Sequence, residues 1–286
     1  MTEALADQAA GLRRLIAPSN LRALMVTAGS AAPAHGVVAA NLALALAAQG
    51  RGVVLWDATG AERSASWLLG ASGRLDLMDA VTGQRSIDQI ALQVRETLRV
   101  VPASRFFAGW QRLRPQDIGR LADVLIGLSR EADVSIVDAP VAGFHALPLA
   151  EEVALVTRAE PDSVTRSYRL LKRIAMDGGH GRIGVILQAT QGIAHAHSVF
   201  DNLADTALQF LGIEIECLGI LPDEAVAERA VALRQPAVEM FSGTETARAL
   251  RACADRVMLR PRAGEMSAYA LAARMVSAVR SASQSR

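Results

Sequence analysis

Along most of the chain, short apolar or β-branched runs alternate with longer stretches in which apolar residues recur every three to four positions. The period-2 or continuous runs predict strands at 21–27, 52–57, 97–102, 133–138, 152–157, 182–188 and 213–221. The 3.6-period stretches predict helices at 37–49, 115–130, 162–176, 194–211, 223–233 and 242–256. Such alternation predicts an α/β fold: a doubly wound, mainly parallel sheet with helices on both faces. Two further helical patterns, 5–16 and 266–283, flank it. The expected organisation is an N-terminal helical segment (1–19), an α/β domain (20–260) and a C-terminal helix (261–286).

Punctuation supports these boundaries. Gly50 follows the run "NLALALAAQ" where a left-handed C-cap belongs. Pro161 and Asp162 stand where a helix can start. Composition then narrows the class: of 286 residues, 51% are hydrophobic and 21% charged, enough to bury a sizeable core. The net charge of +1 lacks the basic excess of nucleic-acid binding, so no direct nucleic-acid contact is expected. Aromatic residues make up 4%, too few for base-stacking platforms. Cys217 and Cys253 offer neither a metal-site spacing nor a disulfide framework. With no signal-peptide pattern and no run of eighteen apolar residues, a cytoplasmic location is expected.

Candidate chemistry concentrates in residues 29–36, "GSAAPAHG", between the first strand and the first helix of the domain. The surrounding stretch "MVTAGSAAPAHGVVAANLALALAAQGRGVVLWDATG" resembles the MinD/ParA group of P-loop ATPases without a gap from Val26 through Asn41, Gly50 and Asp57. Further similarity lies in "VSIVDAP", "EPDSVTRSYRLLKRI" and "LGILPDEAVAERAVALRQPAVE". "DQAAGLRRL" (7–15) and "RLDLMDAVTGQRSIDQI" are similar to the FlhG (FleN) branch of that group, regulators of flagellar number. That resemblance implies a cytoplasmic protein, peripheral at the inner membrane in its family. It also implies as partner the signal-recognition-type GTPase FlhF, and in some lineages a flagellar transcription activator.

The aligned nucleotide site is degenerate. A working loop of this kind uses curled backbone N–H groups, a lysine on the phosphates and a hydroxyl on Mg²⁺. Here Ser30 replaces the lysine that crosses the dimer, His35 replaces the phosphate lysine, and Gly36 replaces the hydroxyl residue. Gly29 is kept, but Ala31, Ala32 and Ala34 stand for glycines, and each alanine forced left-handed costs roughly 1–2 kcal/mol. Pro33 removes an N–H donor. Asp57 persists, yet Thr59 stands where the family has its water-activating aspartate. Asp138 keeps the Walker-B position, Gln188 aligns with the adenine-side asparagine, and Pro222 and Asp223 keep the "LPD" of the base-binding wall. The expectation is no resident cofactor, at most weak ATP/Mg²⁺ binding, and no metal site. The plain alternative is a simple strand-to-helix connection with Asp57 and Asp138 as ordinary strand-end carboxylates.

Other candidates are weaker. His195 and His197 lack the spacing and companions of a metal site and read as solvated loop histidines. No G-x-S-x-G serine elbow occurs. In the C-terminal segment Tyr269, Leu271, Met275, Val276 and Val279 spread around the helical wheel, while Arg274 and Arg280 could face anionic lipid; membrane contact and packing on the domain or a partner are both open. In the N-terminal segment Leu5, Ala9, Leu12, Leu15 and Ile16 form one apolar stripe, with Gln8 inside it and Asp7, Arg13 and Arg14 on the charged side. Asp7, Gln8, Leu12, Arg13 and Leu15 are the candidate partner-binding residues, with Gln8 supplying a catalytic amide in trans to the partner GTPase; the plain alternative is a helix folded back on its own domain with Gln8 at the rim. The expected function is thus a flagellar regulator acting through protein contacts. A membrane-cycling ATPase and an anti-activator of a transcription regulator are the alternatives.

Overall fold

The computed structural model describes residues 21–29, 34–71, 73–130, 132–140, 150–176, 181–222, 224–261 and 267–284. The N-terminal segment with Asp7, Gln8, Leu12, Arg13 and Leu15 lies outside the described residues, as do Ser30 and Asp223.

Eight strands form one sheet: β1 Arg22–Ala28, β2 Val53–Asp57, β3 Leu92–Arg95, β4 Leu98–Pro102, β5 Val134–Asp138, β6 Glu152–Arg158, β7 Arg182–Gln188 and β8 Ile215–Leu221. Their order is β3-β4-β2-β5-β1-β6-β7-β8, and every pairing is parallel except β3 with β4. The seven predicted strands are therefore present, within a residue or two at their ends.

β3 was not expected. "LQVRETLRVVP" does carry the signal, because apolar and polar residues alternate on both sides of a two-residue turn at 96–97.

The helices are α1 Ala34–Ala48, α2 Ala65–Leu68, α3 Leu77–Val81, α4 Ile87–Ile90, α5 Ser104–Gly109, α6 Pro115–Ser129, α7 Pro161–Met176, α8 Ile193–Leu211, α9 Glu224–Ala232, α10 Ala237–Met240, α11 Glu245–Leu259 and α12 Ala268–Gln284. Each long helix matches a predicted one. The last helix of the domain begins three residues late, because the Thr244 hydroxyl caps it by accepting from Ala247 N at 3.2 Å. Gly50 has φ +76°, as its cap position requires. The short helices α2 to α5 and α10 have too few residues to show a period, and the sequence pattern alone left them undrawn.

Strand side chains alternate between two apolar layers. Leu24, Val26, Leu55, Val100 and Ile136 pack with α1, α2, α9, α10 and α11; Met25, Trp56, Val101, Val137 and Leu155 pack with α3 and α5 to α8 and with α12. Helix α1 is apolar on nearly every side and correspondingly buried, and Asn41 within it is satisfied internally. Its amide donates to Val37 O at 2.7 Å and accepts from Val238 N at 2.9 Å, tying α1 to α10.

Helix α12 corrects one expectation. Ala268, Leu271, Ala272, Met275 and Val279 are all buried, forming a single stripe packed on α6, whereas the larger apolar residues alone had appeared scattered. Arg274, a candidate for lipid, instead donates to Ala150 O at 2.8 Å, and Arg130 reaches the Tyr269 hydroxyl at 3.3 Å. No helix among the described residues is long and apolar enough to cross a membrane. His195 and His197 are exposed but lie on the first two turns of α8, not in a loop.

Candidate functional site at the carboxyl ends of the strands

Because β1 sends its connection one way and β5 the other, the sheet has a switch point between them, where open α/β sheets place ligands outside the carboxyl ends of the strands. The expected site residues gather on this edge. Asp138 ends β5 and is in register with Asp57 at the end of β2 and with Val26 of β1. Gly29 follows β1, and His35 and Gly36 lie in the first turn of α1. Gln188 ends β7, three strands from Asp138 or roughly 14 Å at ordinary strand spacing, and Pro222 follows β8. Phosphate-side and base-side positions therefore share one edge, as the alignment with P-loop proteins implied.

At the phosphate side both carboxylates accept from the chain's own backbone, while Asp138 Oδ1 accepts no hydrogen bond. Asp57 Oδ1 accepts from Thr59 N at 2.9 Å, the Thr59 hydroxyl at 2.7 Å and Gly60 N at 3.0 Å; Oδ2 accepts from Ser66 N at 3.3 Å. Thr59, at the position of the missing aspartate, thus serves to hold Asp57. Asp138 is fully buried, and its Oδ2 accepts from Ala65 N at 2.9 Å. His35 Nε2 lies 3.6 Å from Asp138 Oδ1, so the imidazole faces the carboxylate. Burial pushes the Asp138 carboxyl well above the usual range, the neighbouring Asp57 charge adds to this, and the Ala65 N–H opposes it.

Sterics crowd Gly36 and Gly29. A Cβ on residue 36 would fall 2.7 Å from Arg63 O, 3.0 Å from Ser64 Cα and 3.1 Å from Ala65 N. The backbone of 63–65 therefore lies directly on the helix turn where a metal-binding hydroxyl would project. Arg63 takes a left-handed conformation (φ +69°) to bring it there. Gly29 is similarly pressed, since its Cβ would meet Ser167 N of α7 at 2.5 Å. A cleft of about 350 Å³ lies beside the 58–66 segment, bordered by Asp57, Gly60, Ser64, Ser66, Arg74 and Arg105, and none of Gly29, His35 and Gly36 lines it.

Three features of the described residues stand against a Mg²⁺–triphosphate of the family's kind. Both carboxylates already hold backbone donors, the hydroxyl is absent, and the space beside Gly36 is filled. Arg63, Ser64 and Ala65, which do the filling, carry no sequence signal for that role, because their contact with Gly36 is made only by the fold. One neighbouring feature was readable: "DLMD" is a capping box. Asp76 caps α3 at Met78 N (2.9 Å) and also accepts from Arg105 N (2.9 Å) and Phe106 N (3.0 Å) of α5.

No protein-family model matches the chain. It is 28% identical over 243 residues to the antiactivator FleN of Pseudomonas aeruginosa, covering 83% of this chain and 86% of that protein. The cell-division protein MinD of Aquifex aeolicus superposes with a TM-score of 0.65 at 20% identity, over 84% of this chain and 98% of that one. A ParA-family ATPase of Chlorobium tepidum gives 0.65 at 18% identity, over 84% and 99%. The chain thus carries the MinD/ParA fold over a sequence similar to that of the FleN antiactivator, the resemblance its motifs implied.

Proposed function

We propose that this protein is a regulator of flagellar number that acts through protein contacts, with its own ATPase degenerate. The observation that carries the reading is the closed phosphate side: the backbone of 63–65 on Gly36, with Asp57 and Asp138 both bound to N–H groups of the chain. Similarity to FleN over most of the chain supplies the biological setting. The N-terminal segment supplies the activity, stimulating GTP hydrolysis by an FlhF-type partner. Its apolar stripe, Leu12 and Leu15 included, docks on that partner and holds Gln8 at a fixed depth, where its amide orients the attacking water.

The test is GTP turnover by that partner with the full-length protein and its variants. Gln8→Ala removes most of the acceleration with little change in dissociation constant; Leu12→Asp abolishes binding, because burying an unpaired carboxylate costs on the order of several kcal/mol. Undiminished stimulation by Gln8→Ala refutes the catalytic role. In a parallel assay the protein itself shows no Mg²⁺-dependent ATP turnover above a blank. FleN's description as an antiactivator favours a second reading, in which a transcription regulator is the bound partner. Co-purification with such a regulator, unaffected by Gln8→Ala, distinguishes it.

A further inference from the structure

We propose that the segment from Ala58 to Ser66 is a built-in lock, in which the chain's own backbone fills the metal position of the fold and holds this region in one conformation with or without nucleotide. In nucleotide-driven switches the corresponding kind of segment is ordered by the γ-phosphate and its Mg²⁺ and released on hydrolysis. Here the segment's own donors turn onto the chain's two carboxylates. Thr59 N, the Thr59 hydroxyl, Gly60 N and Ser66 N converge on Asp57, and Ala65 N reaches Asp138. Ala58 N, at the head of the segment, donates to Asp138 O at 3.0 Å, and the Ser64 hydroxyl caps α2 by accepting from Trp67 N at 3.3 Å. The glycine at 36 and the carbonyl of Arg63 are complementary: the first leaves the space that the second occupies.

The consequence is loss of switching without loss of shape. A ligand shifts a conformational equilibrium only by its differential affinity for two states, and a segment held by the protein in one state offers ATP nothing to shift. Partner binding is then constant, governed by how much protein is present. This extends the reading above and rests on it only for its biological meaning.

Amide hydrogen exchange on the full-length protein tests the lock directly. Thr59, Gly60, Ala65 and Ser66 are expected to be protected, and unchanged by millimolar Mg²⁺ and ATP. Asp138→Ala frees the Ala65 N–H and raises its exchange about tenfold or more, while β7 amides keep their protection. Asp138→Asn retains protection at Ala65, because the lock needs an acceptor oxygen and not a charge. A change of more than about threefold on adding Mg²⁺ and ATP overturns the proposal. Equal loss in the Asn and Ala variants overturns it too, since it would show that the charge matters. Should Asp138→Ala fail to fold, the Asn variant and the nucleotide arm still decide. Failure to stimulate a partner GTPase leaves this exchange pattern untouched, so the two readings fall separately.

Discussion

Replacing Gly36 by alanine asks how tightly the 63–65 backbone is seated on α1. Two effects of opposite sign compete. Alanine is favoured over glycine within a helix by about 1 kcal/mol, and Gly36 lies in the first turn of α1. Against this, the new Cβ falls 2.7 Å from Arg63 O and 3.0 Å from Ser64 Cα, both backbone atoms that cannot rotate away. The segment must retreat by several tenths of an ångström, an overpacking cost of about 1–3 kcal/mol. Retreat also stretches the buried bond from Ala65 N to Asp138, worth a further 1–3 kcal/mol or so. The net is a loss of about 1–5 kcal/mol, a fall in Tm of roughly 2–10 °C for a chain of this size. Gly127→Ala in α6 is the control, since its Cβ meets nothing within 4 Å and helix propensity acts alone; its Tm should rise slightly. Thermal unfolding followed by circular dichroism reads both. If Gly36→Ala is as stable as the Gly127→Ala control, the close approach of 63–65 is wrong and the site is open.

Other substitutions probe the same framework. A carboxyl held above its unfolded pKa stabilises the fold fully only below the unfolded value, and that contribution is lost as pH rises through the folded pKa. Asp138→Asn should therefore raise Tm at pH 7–8, with the gain shrinking towards pH 4; a gain that grows on acidification contradicts the sign. Replacing Glu152, buried between Arg22 (2.6 Å) and Arg260 (3.3 Å), by alanine removes the carboxylate facing Arg22 and leaves Arg260 with Glu216 (3.0 Å), at a cost of about 3–5 kcal/mol measurable by urea unfolding. Asp76→Ala uncaps α3 and α5 together and should cost about 2–4 kcal/mol by the same measurement, well beyond a single cap.

How much was readable from the sequence divides along one line. Strands and long helices followed from periodicity, because each is specified by residues within its own span. That His35, Gly36 and Thr59 stand where the motif has a lysine, a hydroxyl and an aspartate was also visible, by comparison with the motif. What those positions do instead was not, because it depends on contacts between α1 and a segment nearly thirty residues later. Helix α12 failed for a related reason. Its buried stripe includes Ala268 and Ala272, whose small side chains register only once α6 is present to cover them, while Tyr269 and Val276 drew the eye to the wrong faces of the wheel.

The seat of α12 on α6 also bears on how the protein is made. Helix α6 is translated about 140 residues before α12, so the face of α6 that α12 covers stays open until α12 follows. Transiently exposed apolar surface of this kind is prone to aggregate. Deleting α12 leaves all eight strands intact yet puts that face of α6 in water, so a single helix outside the sheet decides whether the folded sheet stays soluble or aggregates.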